Sequence, residues 1–220
     1  NNEDIQIQRN SVSINKFIGT NQDICIIKES FEVPTENPSI RDILRNDIKV
    51  TDIEYKITGN QVILKGVASI QTLYAGDDKE RSIRFMEHEV PFTQILDLPD
   101  VSEESDLQID CQIQNYSFEL SEDQDGEFRF MDGEIHVNVW VSGSVKEELD
   151  IITDTYGLRT GLSLERAKVS IEELVASNRS QVVLKETLIA KDDYPEIIEV
   201  FSVFSKPVLS EYWVEEGMLQ

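Results

Sequence analysis

The stretch NQVILKGVASIQTLYA, Asn60 to Ala75, changes character at nearly every step, with Val62, Leu64, Ala68 and Ile70 all in one parity. That period of two belongs to a strand with one face buried, and it excludes an amphipathic helix over the same residues. The pattern recurs in DICIIKESFEV, DIKVTDIEYKI, SIRFMEHEVPF, DLQIDCQIQNYSFEL, EFRFM, EIHVNVWVSGSV and SQVVLKETLI, all rich in Ile, Val, Thr, Phe and Tyr. Thr58-Gly59-Asn60 and Ala75-Gly76-Asp77-Asp78 supply tight turns between such runs. Helix signals are few. In NPSIRDILRND, Asn37 suits a cap, Pro38 the first turn, and Ile40, Ile43 and Leu44 one face, which predicts a short helix. FTQILDL reads as one helical turn or a strand end, and LSLERAKVSIEELVASN as a helix or an extended connection. The expected fold is mainly β: an antiparallel β-sandwich or open barrel with one or two short helices.

A second constraint is internal repetition. VSINKFIGTNQDICIIKESFEVPTENPSI, from Val12 to Ile40, aligns without a gap on VSIEELVASNRSQVVLKETLIAKDDYPEI, from Val169 to Ile197. Val12, Ser13, Ile14, Asn21, Lys28, Glu29, Pro38 and Ile40 recur identically, and after one extra residue Gly59 falls over Gly217. Repeats of this length are duplicated domains and not solenoid units. We therefore expect one complete unit over residues 1–165, its core signature at about 38–150, and the opening of a second over 166–220. The partial unit is expected to pack on the first, to move freely, or to pair with another chain, and the parent protein is expected to be longer.

Charge narrows the partners. Forty-three acids against twenty bases leave a net charge of −23, spread along the chain. Such a surface repels nucleic acid and anionic lipid and favours solvent, cations and basic partners. No apolar run reaches the roughly 18 residues of a membrane span. Cys25 and Cys111, the only cysteines, lie in strand patterns and do not make a disulfide framework, which fits a reducing compartment; a single bridge between them stays open at this level.

Chemistry-bearing motifs are scarce. In LSEDQDGEFRFMDGE, with Gly126 at the sixth position of a calcium loop, Asp123, Asp125 and Asp132 take positions three, five and twelve. Ser121 then stands at the first position and Arg129 at the ninth, and both flanks read as strands, not helices. A hairpin with an Asp-Gly turn is the simpler reading, and weak cation binding through Asp123, Asp125 and Asp132 is its alternative. His88 and His136 each sit in a strand pattern without the His or Cys neighbours of a zinc site. There is no G-x-S-x-G elbow, phosphate-binding glycine loop or dinucleotide fingerprint. Trp140 and Phe118 are expected in the core, and one of the adjacent Tyr212 and Trp213 is a candidate contact residue. No catalytic residue and no cofactor is expected.

Four stretches carry a family likeness. LYAGDDKERSIRFMEHEVPFTQILDLPDV, Leu73 to Val101, has a strand ending in L-Y, an acidic turn and an H-E-x-P-F string made by His88, Glu89, Pro91 and Phe92. DGEFRFMDGEI supplies a D-G-E-x-R hairpin, and TNQDICIIKESFEVPTENPSI and NRSQVVLKETLIAKDDYPEI are two versions of one lead-in segment. Together they resemble the SPOCS-domain family of spore-forming Firmicutes, whose SipL-like members look like morphogenesis proteins of the endospore envelope. The resemblance implies a non-enzymatic structural module of coat or exosporium assembly. It would be made in the mother-cell cytoplasm and end at the forespore surface, with other spore envelope proteins as partners. Edge strands or the partial repeat could also join copies into a homo-oligomer. Members often carry a LysM domain; no LysM segment occurs in these 220 residues, so the contacts it would bring are not expected of them. The alternative is a ligand-binding module for cell-wall glycan or a divalent cation, using the acidic loops at Asp77–Asp78 and Asp123–Asp132.

Overall fold

In the computed structural model the chain divides into two compact units, Asn1–Arg179 and Ser180–Gln220. The structure describes residues 5–159, 161–168, 170, 183–189, 193–201, 203, 205–206, 208, 210–215 and 218–219.

The first unit is a β-sandwich of two three-stranded antiparallel sheets. One sheet has the order β1-β6-β5, with β1 at Ile5–Glu32, β5 at Asp106–Glu122 and β6 at Phe128–Gly157. The other is the meander β2-β3-β4, at Ile40–Thr58, Gln61–Gly76 and Ile83–Asp97. The chain leaves the first sheet after β1, builds the whole second sheet, and returns through residues 98–105 to add β5 and β6.

The central strands show why the alternation is so clean. Val62, Leu64, Ala68, Ile70, Thr72 and Tyr74 of β3 are fully buried, and Met131, Ile135, Val137, Val139 and Val141 of β6 oppose them. Full burial of each large aliphatic chain contributes about 1.5–3 kcal/mol, so these two columns are the main source of cohesion. Thr72, the one polar member, donates its hydroxyl to Asn46 Oδ1 at 2.8 Å. Trp140 has the outward parity of β6 and is half-buried, so it lies outside this core, whereas Phe118 packs against it.

The helix expected at 37–47 is not formed: from Ile40 onward these residues belong to the strand β2. Ile40 pairs with Gly76, Ile43 with Tyr74, Asn46 with Thr72, Ile48 with Ile70 and Val50 with Ala68, with register shifts at Ile40/Asp42 and Ile43/Arg45. Each bulge adds one residue to β2. The inward positions therefore run 40, 43, 46, 48, 50, and two steps of three imitate a helical face. FTQILDL is the end of β4 and the residue after it; of LSLERAKVSIEELVASN, residues 162–168 and 170 are in neither a helix nor a strand, and the others lie outside the described residues. Among the described residues there is no helix, hence none long and apolar enough to cross a membrane.

In the second unit β7, Val214–Glu215, and β8, Met218–Leu219, pair as a short hairpin. It falls where the repeat sets Gly217 over the β2–β3 turn. Residues 183–189, expected as a strand, are not one: Leu184, Leu188 and Ile189 are exposed. Their counterpart in the first unit, the end of β1, is held by a ladder to β6.

Candidate interaction surface

The side chains that the sequence singled out mostly tie the two sheets and their turns together. Tyr74 is fully buried and donates its hydroxyl to the Pro38 carbonyl at 3.3 Å. The His88 ring sits 4.9 Å from Phe31 of the facing sheet and makes a hydrogen bond to the Glu32 backbone. Its Nδ1 is buried without a hydrogen-bond partner, and burial holds its pKa below the ordinary imidazole range. Phe92 lies over Gly66, where an added β-carbon would fall 2.7 Å from the ring. Arg129 donates to the Asn37 carbonyl at 2.9 Å and its own carbonyl accepts from Val33 N, which fastens the β5–β6 hairpin to the crossover. His136 stands on the outward face of β6, 2.7 Å from Glu134, which Lys28 also pairs at 2.7 Å.

In each acidic loop one carboxylate, Asp123 or Asp78, is spent on the loop's own backbone. Asp123 Oδ1 accepts from Asp125 N at 2.9 Å and Glu127 N at 3.0 Å, closing the turn in which Gly126 takes a φ of +78°. Asp132 lies away from that loop on β6, where hydrogen bonds from Ser30 and Ser121 hold its pKa down. Asp123 and Asp125 thus share the loop and Asp132 does not. Among the described residues no three His, Cys, Asp or Glu side chains converge on a point where a metal ion could sit. In the other acidic turn, Asp78 accepts from the Ser82 hydroxyl and, at 2.9 Å, from Ser82 N, and the first of these leads in lowering its pKa.

Both cysteines are free thiols. Cys25 pairs with Val137 and Cys111 with Val139, so β6 runs between them. Two strand spacings are about 9–10 Å, more than the roughly 7 Å limit for a disulfide. The bridge left open by the sequence is therefore closed off by the sheet order. Burial raises both thiol pKa values, that of Cys111 to about 11.

Residues 39–121 match the family model described as SipL, SPOCS domain. This segment is similar to the SPOCS domain of the SipL family. No curated protein and no solved structure matches the chain. The SPOCS match covers β2, β3, β4 and β5 up to Ser121, while β1 and β6, which complete the first sheet, lie outside it.

What the SPOCS framework offers a partner is decided by its edges, because an outer strand carries a row of unpaired backbone groups. Three of the four outer strands are obstructed. β2 is interrupted by register shifts at Ile40/Asp42, Ile43/Arg45 and Thr51/Glu54. β4 carries Pro91, which has no N–H to donate. Along β1, Asn21 donates to the Asp97 carbonyl at 2.8 Å and Asp23 accepts from Gln94 at 2.7 Å, so β4 reaches across that side. On β5 the stretch Asp106–Ile113 pairs with β6 from Ser144 to Val137 without a shift and without proline. Its outward side chains are Asp106, Gln108, Asp110 and Gln112, all exposed. Sequence reasoning named edge pairing but not this strand. The signal that picks it out is the length of DLQIDCQI without Pro, Gly or Lys.

Proposed function

We propose that the chain is a non-enzymatic structural module of spore envelope assembly, in the coat or exosporium, acting through contacts with other envelope proteins. The observation that carries this reading is the unobstructed edge of β5 on a domain whose SPOCS match points to sporulation. Addition of an extended segment to such an edge joins proteins through backbone hydrogen bonds, and alternate side chains set specificity. Asp106 and Asp110 on the exposed face favour an incoming strand with Lys or Arg at alternate positions. The residues brought together here are turn, core and edge residues, which suit assembly and not turnover of a substrate. In this reading the protein is made in the mother-cell cytoplasm and ends at the forespore surface.

The test is localisation of a fluorescently tagged chain in a sporulating cell. A shell around the forespore, dispersed by Asp106→Lys with Asp110→Lys, is the expected result. A signal that stays diffuse in the mother cell would refute the envelope role. A shell that survives the double substitution would remove the β5 edge from it.

A further inference from the structure

Asp-Gly occurs twice in the chain, at Asp125-Gly126 and at Asp132-Gly133, each time followed by glutamate. A glycine after aspartate is the least hindered setting for attack of a backbone amide on the preceding side chain. No β-carbon screens the nitrogen, and the backbone turns freely about it. By sequence the two sites have equal standing. The fold separates them.

Asp132-Gly133 is locked. It lies in β6, the central strand of its sheet, with Ser30 and Glu119 opposite Asp132 and with Glu29 and Phe118 opposite Gly133. Hydrogen bonds from Ser30 and Ser121 hold the Asp132 carboxylate. The Phe118 and Phe31 rings crowd the place of a β-carbon on Gly133, at 2.7 and 2.9 Å. Swinging that carboxyl onto the Gly133 nitrogen requires opening the ladders on both sides, and a core strand opens only near the cost of global unfolding.

Asp125-Gly126 is held by little. Both residues are exposed, and nothing lies within 4 Å of a β-carbon built on Gly126. Among the described residues, the Asp125 carboxylate enters no hydrogen bond or ion pair. Asp123 Oδ1 clamps the amides on either side, those of Asp125 and Glu127, and leaves out the one between. Gly126 N has only the Asp123 carbonyl, at 3.2 Å, the long end of the usual range.

We propose that Asp125 is a site of spontaneous isoaspartate formation in the folded protein. The Gly126 nitrogen bonds to Cγ of Asp125 and loses its proton while the carboxyl gives up hydroxide, so one water leaves and a succinimide closes. Water then re-enters. Addition at Cγ restores aspartate; addition at the main-chain carbonyl breaks its bond to nitrogen, leaves a free α-carboxylate and routes the chain through Cγ. Mass is unchanged, but the backbone of the turn is one methylene longer. The closure from Asp123 N to the Glu127 carbonyl, 2.8 Å, is sized for the shorter path. The product belongs to the substrate class of isoaspartyl carboxyl methyltransferases, which esterify the new α-carboxylate with S-adenosylmethionine. This chemistry needs neither the β5 edge nor the envelope role.

Peptide mapping of the whole native chain, stored folded at mildly acidic pH, reads the conversion, because an isoaspartyl peptide elutes apart from its parent at the same mass. In the folded chain isoaspartate at 125 should exceed that at 132 by about tenfold or more, and the two should converge in denaturant. Label from S-adenosylmethionine and an isoaspartyl methyltransferase should enter the aged native chain. Asp125→Glu, whose longer side chain closes only a six-membered ring, should lose most of it. Equal conversion at 125 and 132 in the folded chain overturns the proposal, as does a residue 125 that converts only in denaturant. An Asp125→Glu chain labelled as strongly as the native one overturns it too.

Discussion

Phe92 lies across Gly66 of the neighbouring strand, its cross-strand partner in the β3–β4 ladder, so closely that a β-carbon there would stand 2.7 Å from Cζ and 2.9 Å from Cε1. The ring is nearly buried and takes the place of the side chain that Gly66 lacks. Gly66→Ala should therefore act as overpacking and cost about 1–3 kcal/mol, read as a lower denaturant midpoint with an unchanged slope. Phe92→Leu in the same chain should recover part of the loss, a coupling visible only in the double-mutant cycle. An alanine at 66 that leaves the midpoint in place would show that the ring is free to move aside.

That contact also illustrates what the sequence could and could not disclose. The strand β3, and β6 as far as Val141, were legible because each is buried on one face over that length, so burial and alternation coincide. Gly66 and Gly133 look like weak points in those runs, yet aromatic rings fill both: Phe118 and Phe31 would lie 2.7 and 2.9 Å from a β-carbon on Gly133. The start of β2 was misread because bulges at Arg41 and Leu44 turn a period of two into steps of three, and nothing local separates that from a helix turn. The first half of β1 escaped notice because residues 5–17 have no core against which to alternate. The turns at Gly59 and Gly126 were legible because positive φ favours a residue without a β-carbon, and both have it, at +59° and +78°.

The acidic β5–β6 loop should ignore calcium. Asp123 already accepts two backbone N–H groups, and Asp132 is held by serines on a strand. We expect a calcium titration to leave the melting temperature unchanged. Asp123→Ala should lower stability by about 1 kcal/mol, equally with calcium and with chelator, because what it removes is the closure of the turn. A melting temperature that climbs with calcium in the native chain and not in Asp123→Ala would establish a cation site here.

The two thiols should be slow and should not find each other. With a pKa of about 11, Cys111 is almost wholly protonated at pH 8. Its alkylation should trail that of an ordinary cysteine by roughly a hundredfold. Cys25, buried across β6, should be slower in the native state than in denaturant. Under mild oxidant, intact-mass analysis should show no loss of two hydrogen atoms from the native monomer. A Cys25–Cys111 bridge formed without loss of native melting would mean that β6 does not separate β1 from β5.

Stability should carry a proton-linked contribution from His88. Its Nδ1 is covered and has no acceptor, so a second ring proton would be buried without a partner, and burial accordingly depresses the folded-state pKa. The recess around the ring is lined by Glu29, Glu32 and Glu89, whose charges favour the imidazolium, yet the net direction is downward. The unfolded chain has the ordinary value near 6.5, so between the two values it binds the proton that the folded chain refuses. Stability then rises with pH through that window. The contribution is complete above the unfolded value and is lost as pH falls through the folded one. Denaturation of the native chain and of His88→Gln from pH 7.5 down to 5, above the carboxylate range, isolates it. The native advantage should shrink on acidification while the glutamine variant lacks that slope. Parallel profiles would mean that the ring accepts its proton in the folded protein as readily as in water.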